Sequence, residues 1–420
     1  MAPVISRPDR FLYLLLAVVL VVLLYNLHLW ATTGAENSIV DISRAMLAEQ
    51  NFMHPQPVAD VSHRPVPLWL TSLGMTLWGT NPFGARFFVQ ISIVLQVVFV
   101  YRIALRLFGS NQVGLFAGLI YLSCPLVLAC SRYLSAEVFL ATFELSAIYC
   151  ILLYHLDKRP IALYGLAGSL ALGVLCGRLL CLVLPLSVGA YVLLFGPQNY
   201  HIHWRHSAAA ATMGLGLGGF WFVHGSTHLP EFWSATRQLV WQETFFGPYP
   251  HWLPVLGLMV GCLPWWIVVA PNLAGPLWQN PTIAQLAVCW LALPLGFYTL
   301  TGSVSWTGLL PTVAGVCILI SYLIQLLTPG QVWQYSRWFA QIYSTLAVLA
   351  LVVPLGYRLL GQPISVTWAM AFTALVTLGV VGVLYRFVQT GIRFRLVAMA
   401  LVPSLMLVLY GGYWVEANGA

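Results

Sequence analysis

The chain alternates long apolar runs with short polar breaks, and the breaks carry almost all of its charge. A helix needs about 20 mostly apolar residues to cross a bilayer. On that measure the pattern predicts spans at Phe11–Ala31, Phe83–Leu107, Val113–Cys130, Leu134–Tyr154, Ser207–His224 and Trp252–Ala270. Further spans follow at Thr282–Thr301, Trp306–Leu327, Ile342–Leu360, Thr367–Arg386 and Arg395–Tyr410. The run Ala162–Phe195 is too long for one crossing, and its break at Cys176-Gly177-Arg178 predicts a tight hairpin of two short helices. The expectation is an all-α polytopic membrane protein, residues 1–420 forming a single integral membrane domain of about thirteen helices.

The segment 32–86 departs from this pattern. From Glu36 to Gln50 the apolar residues Ile39, Ile42, Met46 and Leu47 recur at helical spacing, with Asp41, Arg44 and Glu49 between them. That pattern predicts an amphipathic helix at the membrane interface. Pro55, Pro57, Pro65 and Pro67 hold an extended crossing. Pro67–Trp78 is apolar but too short to span, so a second interfacial helix is expected there. Together the two make a shelf able to hold a lipid head group. A second polar loop is expected at 225–251.

Composition narrows the class. Of 420 residues, 60% are hydrophobic and only 7% are charged, against about 25% charged in soluble domains. So little charge cannot cover a water-soluble globule. The net charge of +7 therefore bears on membrane orientation rather than on nucleic acid. With the N-terminus inside, eleven Lys and Arg fall on cytoplasmic ends and seven on outer ends. The outer face then receives Glu36, Asp41, Glu49, Asp60, Glu137, Glu231, Glu243 and Glu416. Glu144 falls inside a span, where a carboxyl is costly unless paired or wetted. The eight cysteines show no paired C-x-x-C spacing and are read as small hydrophobes. No cleavable signal, low-complexity linker or second soluble domain is expected.

The first loop also resembles a known family. Glu36, Ser43-Arg44-Ala45-Met46-Leu47, Arg64-Pro65-Val66-Pro67-Leu68-Trp69-Leu70, Leu77-Trp78-Gly79-Thr80-Asn81-Pro82 and Arg86 follow the order of the first outer loop of GT-C fold glycosyltransferases that use polyprenyl-phosphate sugars. The aminoarabinose transferases of lipid A and the protein O-mannosyltransferases are the relatives it looks most like. Weaker echoes lie at Ser131–Glu137, at Gly168–Pro185 with Arg178, at Cys262-Leu263-Pro264-Trp265 and at Ser303–Pro311. The chain also departs from the family. Counting back from Met46, the family's loop Asp falls on Ala35, its Lys becomes Arg64 and its second-motif Asp becomes Glu137.

The resemblance implies a GT-C-like bundle that moves a sugar from a polyprenyl phosphate to a lipid or protein acceptor on the outer face. It implies a multi-pass protein of the bacterial inner membrane with a cytoplasmic N-terminus. No cofactor is required, the polyprenyl-phosphate sugar being the donor. A cation near the donor phosphate stabilises the charge that builds as the sugar leaves; Arg64, Arg132 and Arg178 are the candidates. A carboxylate must deprotonate or orient the acceptor hydroxyl; Glu36 and Glu137 are the candidates. Asp41, His63 and Trp69 on the shelf are expected to meet acceptor or lipid.

Blander roles stand beside these. Arg44 and Glu49 read as solvated or headgroup contacts. Glu137 at a helix start fits a first-turn acid favoured by the macrodipole, and Arg178 fits a snorkelling anchor. His54, His63 and His251 lack an H-e-x-x-H-like pattern, so a structural role is expected rather than a metal. Ala35 motivates an alternative function: a catalytically inactive GT-C-like subunit of a membrane complex. A transporter is disfavoured, because no halves of the chain repeat and the spans are poor in ionisable groups.

Overall fold

The computed structural model describes residues 20, 23, 24, 27, 35–52, 64–195, 204–228, 238, 240–242, 244–272, 281–360, 368–387 and 392–418. Those residues are helices and short connections. The first-loop helices are α1 (Ala35–Glu49) and α2 (Pro65–Trp78). Next come α3 (Pro82–Phe108), α4 (Asn111–Ser123), α5 (Pro125–Cys130), α6 (Ala136–Asp157), α7 (Ile161–Gly177), α8 (Val183–Phe195) and α9 (Trp204–His228). A bent pair follows, α10 (Leu253–Gly261) and α11 (Trp266–Asn272). Then α12 (Pro281–Ala287) runs through a π turn into α13 (Leu293–Thr301). The chain closes with α14 (Leu310–Leu326), α15 (Pro329–Leu359), α16 (Trp368–Phe387) and α17 (Ile392–Asn418).

This is a multi-pass membrane protein. Six described helices are long and apolar enough to cross a membrane, or seven if α10 and α11 count as one broken span, and three shorter apolar helices accompany them. These numbers do not establish a total of thirteen. The expected first span, 11–31, lies outside the described residues except for four leucines, of which Leu23 and Leu27 are fully buried.

Local chemistry sets the helix ends. Asn81 caps α3 by accepting from Gly84 N–H at 2.8 Å, Pro82 opens the helix, and Gly109 closes it in the left-handed region (φ 65°). Ser135 caps α6. Pro125 splits the expected Val113–Cys130 span into α4 and α5 at Cys124. The Ala162–Phe195 run is broken into two helices, α7 and α8, by a 3-10 turn at Arg178–Leu182. Its two helices pack on α6 rather than closely on each other.

Two expectations are corrected. Trp252–Ala270 is not a single helix: it bends by 111° at Cys262–Trp265, the place of the Leu-Pro-Trp echo. Pro264 lacks the N–H that would continue the ladder. The helix expected at Ile342 starts instead at Pro329. Its first turns carry Trp333, Gln334, Arg337 and Trp338 outward, which lowers their hydropathy. Val332, Tyr335, Ser336, Phe339 and Tyr343 still bury a helical stripe.

The core is continuous. α14 is the innermost candidate span and packs on α4. A buried polar network ties three helices: Gln96 on α3 donates to Val138 C=O (2.8 Å) and the Thr142 hydroxyl (3.0 Å) on α6, and accepts from the Tyr121 hydroxyl (2.6 Å) on α4. The eight cysteines are free and buried.

The first-loop helices are docked, not loose. Ser72 Oγ on α2 donates to Ser43 C=O on α1 (3.3 Å), over a small cluster of Ile42, Met46 and Leu68. α2 crosses α3 so closely that a Cβ on Gly74 would stand 2.2 Å from Gly84 O.

Candidate active site

The site is built around one buried ion pair. Glu36 lies in the first turn of α1 and Arg86 near the start of α3, and both side chains are almost fully buried. Glu36 Oε1 accepts from Arg86 Nε at 3.0 Å and Oε2 accepts from Nη2 at 2.8 Å. Oε1 also accepts from Leu134 N–H at 2.7 Å. A two-pronged guanidinium–carboxylate pair fixes orientation as well as distance. This clamp therefore sets α1, α3 and the 131–135 connection against one another. The connection is held from its other side by Gln90 Nε2, which donates to Ser131 C=O.

The clamped connection presents Arg132 and Tyr133. Arg132 is 7% exposed. Burial, and after it the Arg86 charge, lower its guanidinium to about 10. A cation so placed gains from an anion brought beside it. Tyr133 packs its ring 5.5 Å from that of Trp306. Burial, then the Glu36 and Glu137 carboxylates, push its phenol above the usual range.

Glu137 follows in the first turn of α6. Its N–H donates to Ser135 Oγ at 3.2 Å. Its carboxylate accepts from the hydroxyls of Ser305 and Thr307, which flank Trp306 in the connection before α14. The hydroxyls of Ser135 and Thr307 lie 3.3 Å apart. Thus the Ser131–Glu137 and Ser303–Pro311 segments, separate echoes in the sequence, form one polar nest.

A cavity of about 820 Å³ opens beside this nest. One end is lined by Glu36, Arg86, Arg132, Tyr133 and Trp306. The remainder is apolar, walled by α5, the Leu263-Pro264 break, α15 through Ile342 and Leu346, and α17 through Leu407 and Val408. A charged mouth continuing into an apolar trough is the shape that takes an amphiphile with an anionic head.

The other expected site residues fall elsewhere or outside the description. Arg64 precedes α2 and is half-buried; its charge reaches Cys176 at the end of α7, two residues before Arg178. Asp41 is exposed and pairs with Arg44 at 3.3 Å. Trp69 donates its indole N–H to Phe52 C=O at 2.8 Å, fastening the chain after α1 to α2. Neither Asp41 nor Trp69 lines the cavity. His54, His63 and the Arg178 side chain lie outside the described residues. His251 Nδ1 lies 2.8 Å from Thr299 C=O. Among the described residues no cluster of His, Cys, Asp or Glu could hold a metal. Glu144 is buried two turns along α6 from Glu137.

Sequence reasoning did not single out Arg86 as a functional group, nor Tyr133, Trp306, Ser305 and Thr307. Arg86 had a signal, being the arginine that ends the first-loop motif. The trough walls on α15 and α17 had none: Ile, Leu and Val are what any span contains.

Known proteins resemble this chain. Residues 60–221 match the family described as dolichyl-phosphate-mannose-protein mannosyltransferase. The undecaprenyl phosphate-alpha-4-amino-4-deoxy-L-arabinose arabinosyl transferase of Erwinia tasmaniensis is 27% identical over 311 residues, covering 67% of this chain and 53% of the relative. Its counterpart in Pseudomonas paraeruginosa is 28% identical over 321 residues, covering 70% and 55%. The chain thus spans a little over half the length of these curated relatives. Crystal structures of ArnT from Cupriavidus metallidurans superpose with a TM-score of 0.79, both in the apo state (19% identity, 97% of this chain and 78% of that one) and bound to undecaprenyl phosphate (18%, 98% and 79%). The resemblance read in the first loop stands, and the fold is the GT-C-like bundle that it implied.

Proposed function

We propose that this protein transfers a sugar from a polyprenyl-phosphate donor to a lipid or protein acceptor on the outer face of a bacterial inner membrane, its N-terminus being cytoplasmic. The observation that carries the reading is the cavity: an Arg132–Arg86 mouth on an apolar trough, matching a phosphate head on a hydrocarbon tail. The relatives named for an undecaprenyl phosphate substrate, and the ArnT structure bound to that lipid, support the same donor class.

In this reading the phosphate sits at Arg132, a buried cation at the charged end of the cavity. As the glycosidic bond to the phosphate breaks, negative charge grows on the leaving oxygen, and a fixed guanidinium in a water-poor site stabilises it. Glu137 is the carboxylate that takes the acceptor hydroxyl's proton. Ser305 and Thr307 hold it in place beside the Tyr133–Trp306 wall. Glu36 has a different task. With its oxygens held by Arg86 and Leu134 N–H, it fixes the guanidiniums around the phosphate instead of moving a proton. Ala35 then leaves the base to α6. Arg64 is proposed to contribute a further cation to the donor or acceptor. No resident cofactor is invoked.

Incubating the purified protein with labelled polyprenyl-phosphate sugars tests this. Release or transfer of sugar is expected, with loss in the Arg132→Ala variant while its melting transition persists. Folded protein that neither binds polyprenyl phosphate nor turns over any donor in a broad panel would sink the proposal. No observation on the described residues favours the non-catalytic alternative.

A further inference from the structure

A second cavity, of about 510 Å³, lies apart from the one described, against the first half of α15. It is lined by Trp333, Gln334, Arg337, Trp338, Gln341 and Tyr385. Gln334, Arg337, Trp338 and Gln341 stand at the i, i+3, i+4, i+7 spacing that puts residues on one helix face. Tyr385 comes from the end of α16. The large cavity is lined by the next turns of α15 and by the far half of α17, from Ser404 to Gly411.

Arg395, near the start of α17, completes the arrangement. It is 1% exposed. Its guanidinium lies 3.7 Å over the indole of Trp333, and its Nη1 donates to Tyr385 C=O at 3.4 Å. Both of those partners line the cavity. Its Nε and Nη2 are buried without an acceptor among the described residues. A buried guanidinium is seldom left short of acceptors, and the charged group is disfavoured there unless an anion joins it. Along α17, Arg395 and Leu407 are about 18 Å apart at the helical rise per residue. The anion expected near Arg132 therefore does not serve Arg395.

We propose that this cavity binds the phosphate ester of an anionic membrane lipid. Arg337 at the rim and Arg395 behind Trp333 supply the charge. The amides of Gln334 and Gln341 donate hydrogen bonds to the remaining phosphate or glycerol oxygens. Trp333, Trp338 and Tyr385 are the amphipathic rings that settle at head-group depth, and basic pockets between membrane helices are where anionic head groups bind. Trp333 and Trp338 are both more than one-third exposed, on a helix long and apolar enough to span, so a lipid reaches them laterally.

The test is native mass spectrometry of the detergent-purified full chain, titrated with phosphatidylglycerol, with phosphatidylcholine and with glycerol 3-phosphate. It is run on the Arg132→Ala background so that the large cavity does not contribute. Phosphatidylglycerol should bind in preference to phosphatidylcholine, with affinity falling at least tenfold in Arg337→Ala and in Arg395→Met. Arg337 is exposed, so its variant reports even where Arg395→Met fails to fold. Glycerol 3-phosphate binding with the same Arg337 dependence would reassign the ligand to a soluble phosphate ester and overturn the lipid. Phosphatidylglycerol binding that is indifferent to Arg337, or equal for the two lipids, overturns the site itself.

Discussion

At the scale of single residues the site separates two carboxylates by what already holds them. Glu36 is buried against Arg86 and a backbone N–H, whereas Glu137 is half-buried and held by hydroxyls. Removing one partner of a buried pair strands the other's charge, at a cost of about 3–5 kcal/mol. Arg86→Ala is therefore expected to lower the melting temperature sharply. Arg86→Lys should rescue poorly, since an ammonium lacks the fork that meets both oxygens. Glu137→Gln should behave oppositely, losing about 10²–10⁴ in kcat with the melting transition and donor affinity kept. Equal loss of stability in both variants would show that the division of labour is misassigned. Arg132 gives a pH test. Its folded value is lowered from the usual guanidinium range to about 10 by burial and then by Arg86. A lowered cation is charged below its folded value, so the cost of holding that charge is fully present below about 10 and fades as pH rises towards the ordinary guanidinium value. An anionic donor offsets that cost only while Arg132 is charged. Polyprenyl-phosphate affinity, followed by tryptophan quenching, should hold steady over about pH 7–9 and weaken above about 10. A fall that begins near neutrality would point to another group.

At the scale of elements, the crossing of α2 over α3 is what aims Arg86 at Glu36. Gly74 and Gly84 make it possible, a Cβ on Gly74 meeting Gly84 O at 2.2 Å. Gly74→Ala should part the helices and cost about 1–3 kcal/mol, as overpacking does. It should also lower donor affinity; a folded Gly74→Ala protein with wild-type affinity would disconnect the crossing from the site. Elements of this kind were largely legible in the sequence. The helical spacing of Ile39, Ile42 and Met46, the apolar Pro67–Trp78 run and the Ser135–Glu137 start all became helices within a few residues of their expected ends. The breaks were less legible. Hydropathy averages over Cys262–Trp265 and hides a 111° bend, because Leu and Trp are as apolar in a turn as in a helix. Trp333, Gln334 and Arg337 lowered the signal at the start of α15, although the buried stripe beneath them continues. The pairing of Glu137 with Ser305 and Thr307 spans about 170 residues of sequence, a separation over which no local period carries information.

At the scale of the whole molecule, the large cavity joins the two ends of the chain. Its charged mouth comes from α1, α3 and the 131–135 connection, and much of its trough from α15 and α17. α17 packs on α4, and Ser404 on α17 donates to Ser123 C=O at 3.2 Å while meeting the Tyr343 hydroxyl at 2.7 Å. The C-terminal helices are thereby registered on the N-terminal half that carries the charge. If the mouth takes the phosphate and the trough takes the tail, the two can be weakened separately. Each methylene buried contributes about 0.8 kcal/mol, so the trough discriminates by chain length and the mouth by charge. Leu346→Trp together with Leu407→Trp narrows the trough without touching Arg132. That variant should lose affinity for a long polyprenyl phosphate while binding a short prenyl phosphate as the parent does. Arg132→Ala should weaken both in the same proportion. Titrating the two chain lengths against both variants checks this. Were the tryptophan variant to weaken short and long donors alike, the tail would have to leave the mouth by another route, and the C-terminal helices would be scaffold rather than binding surface.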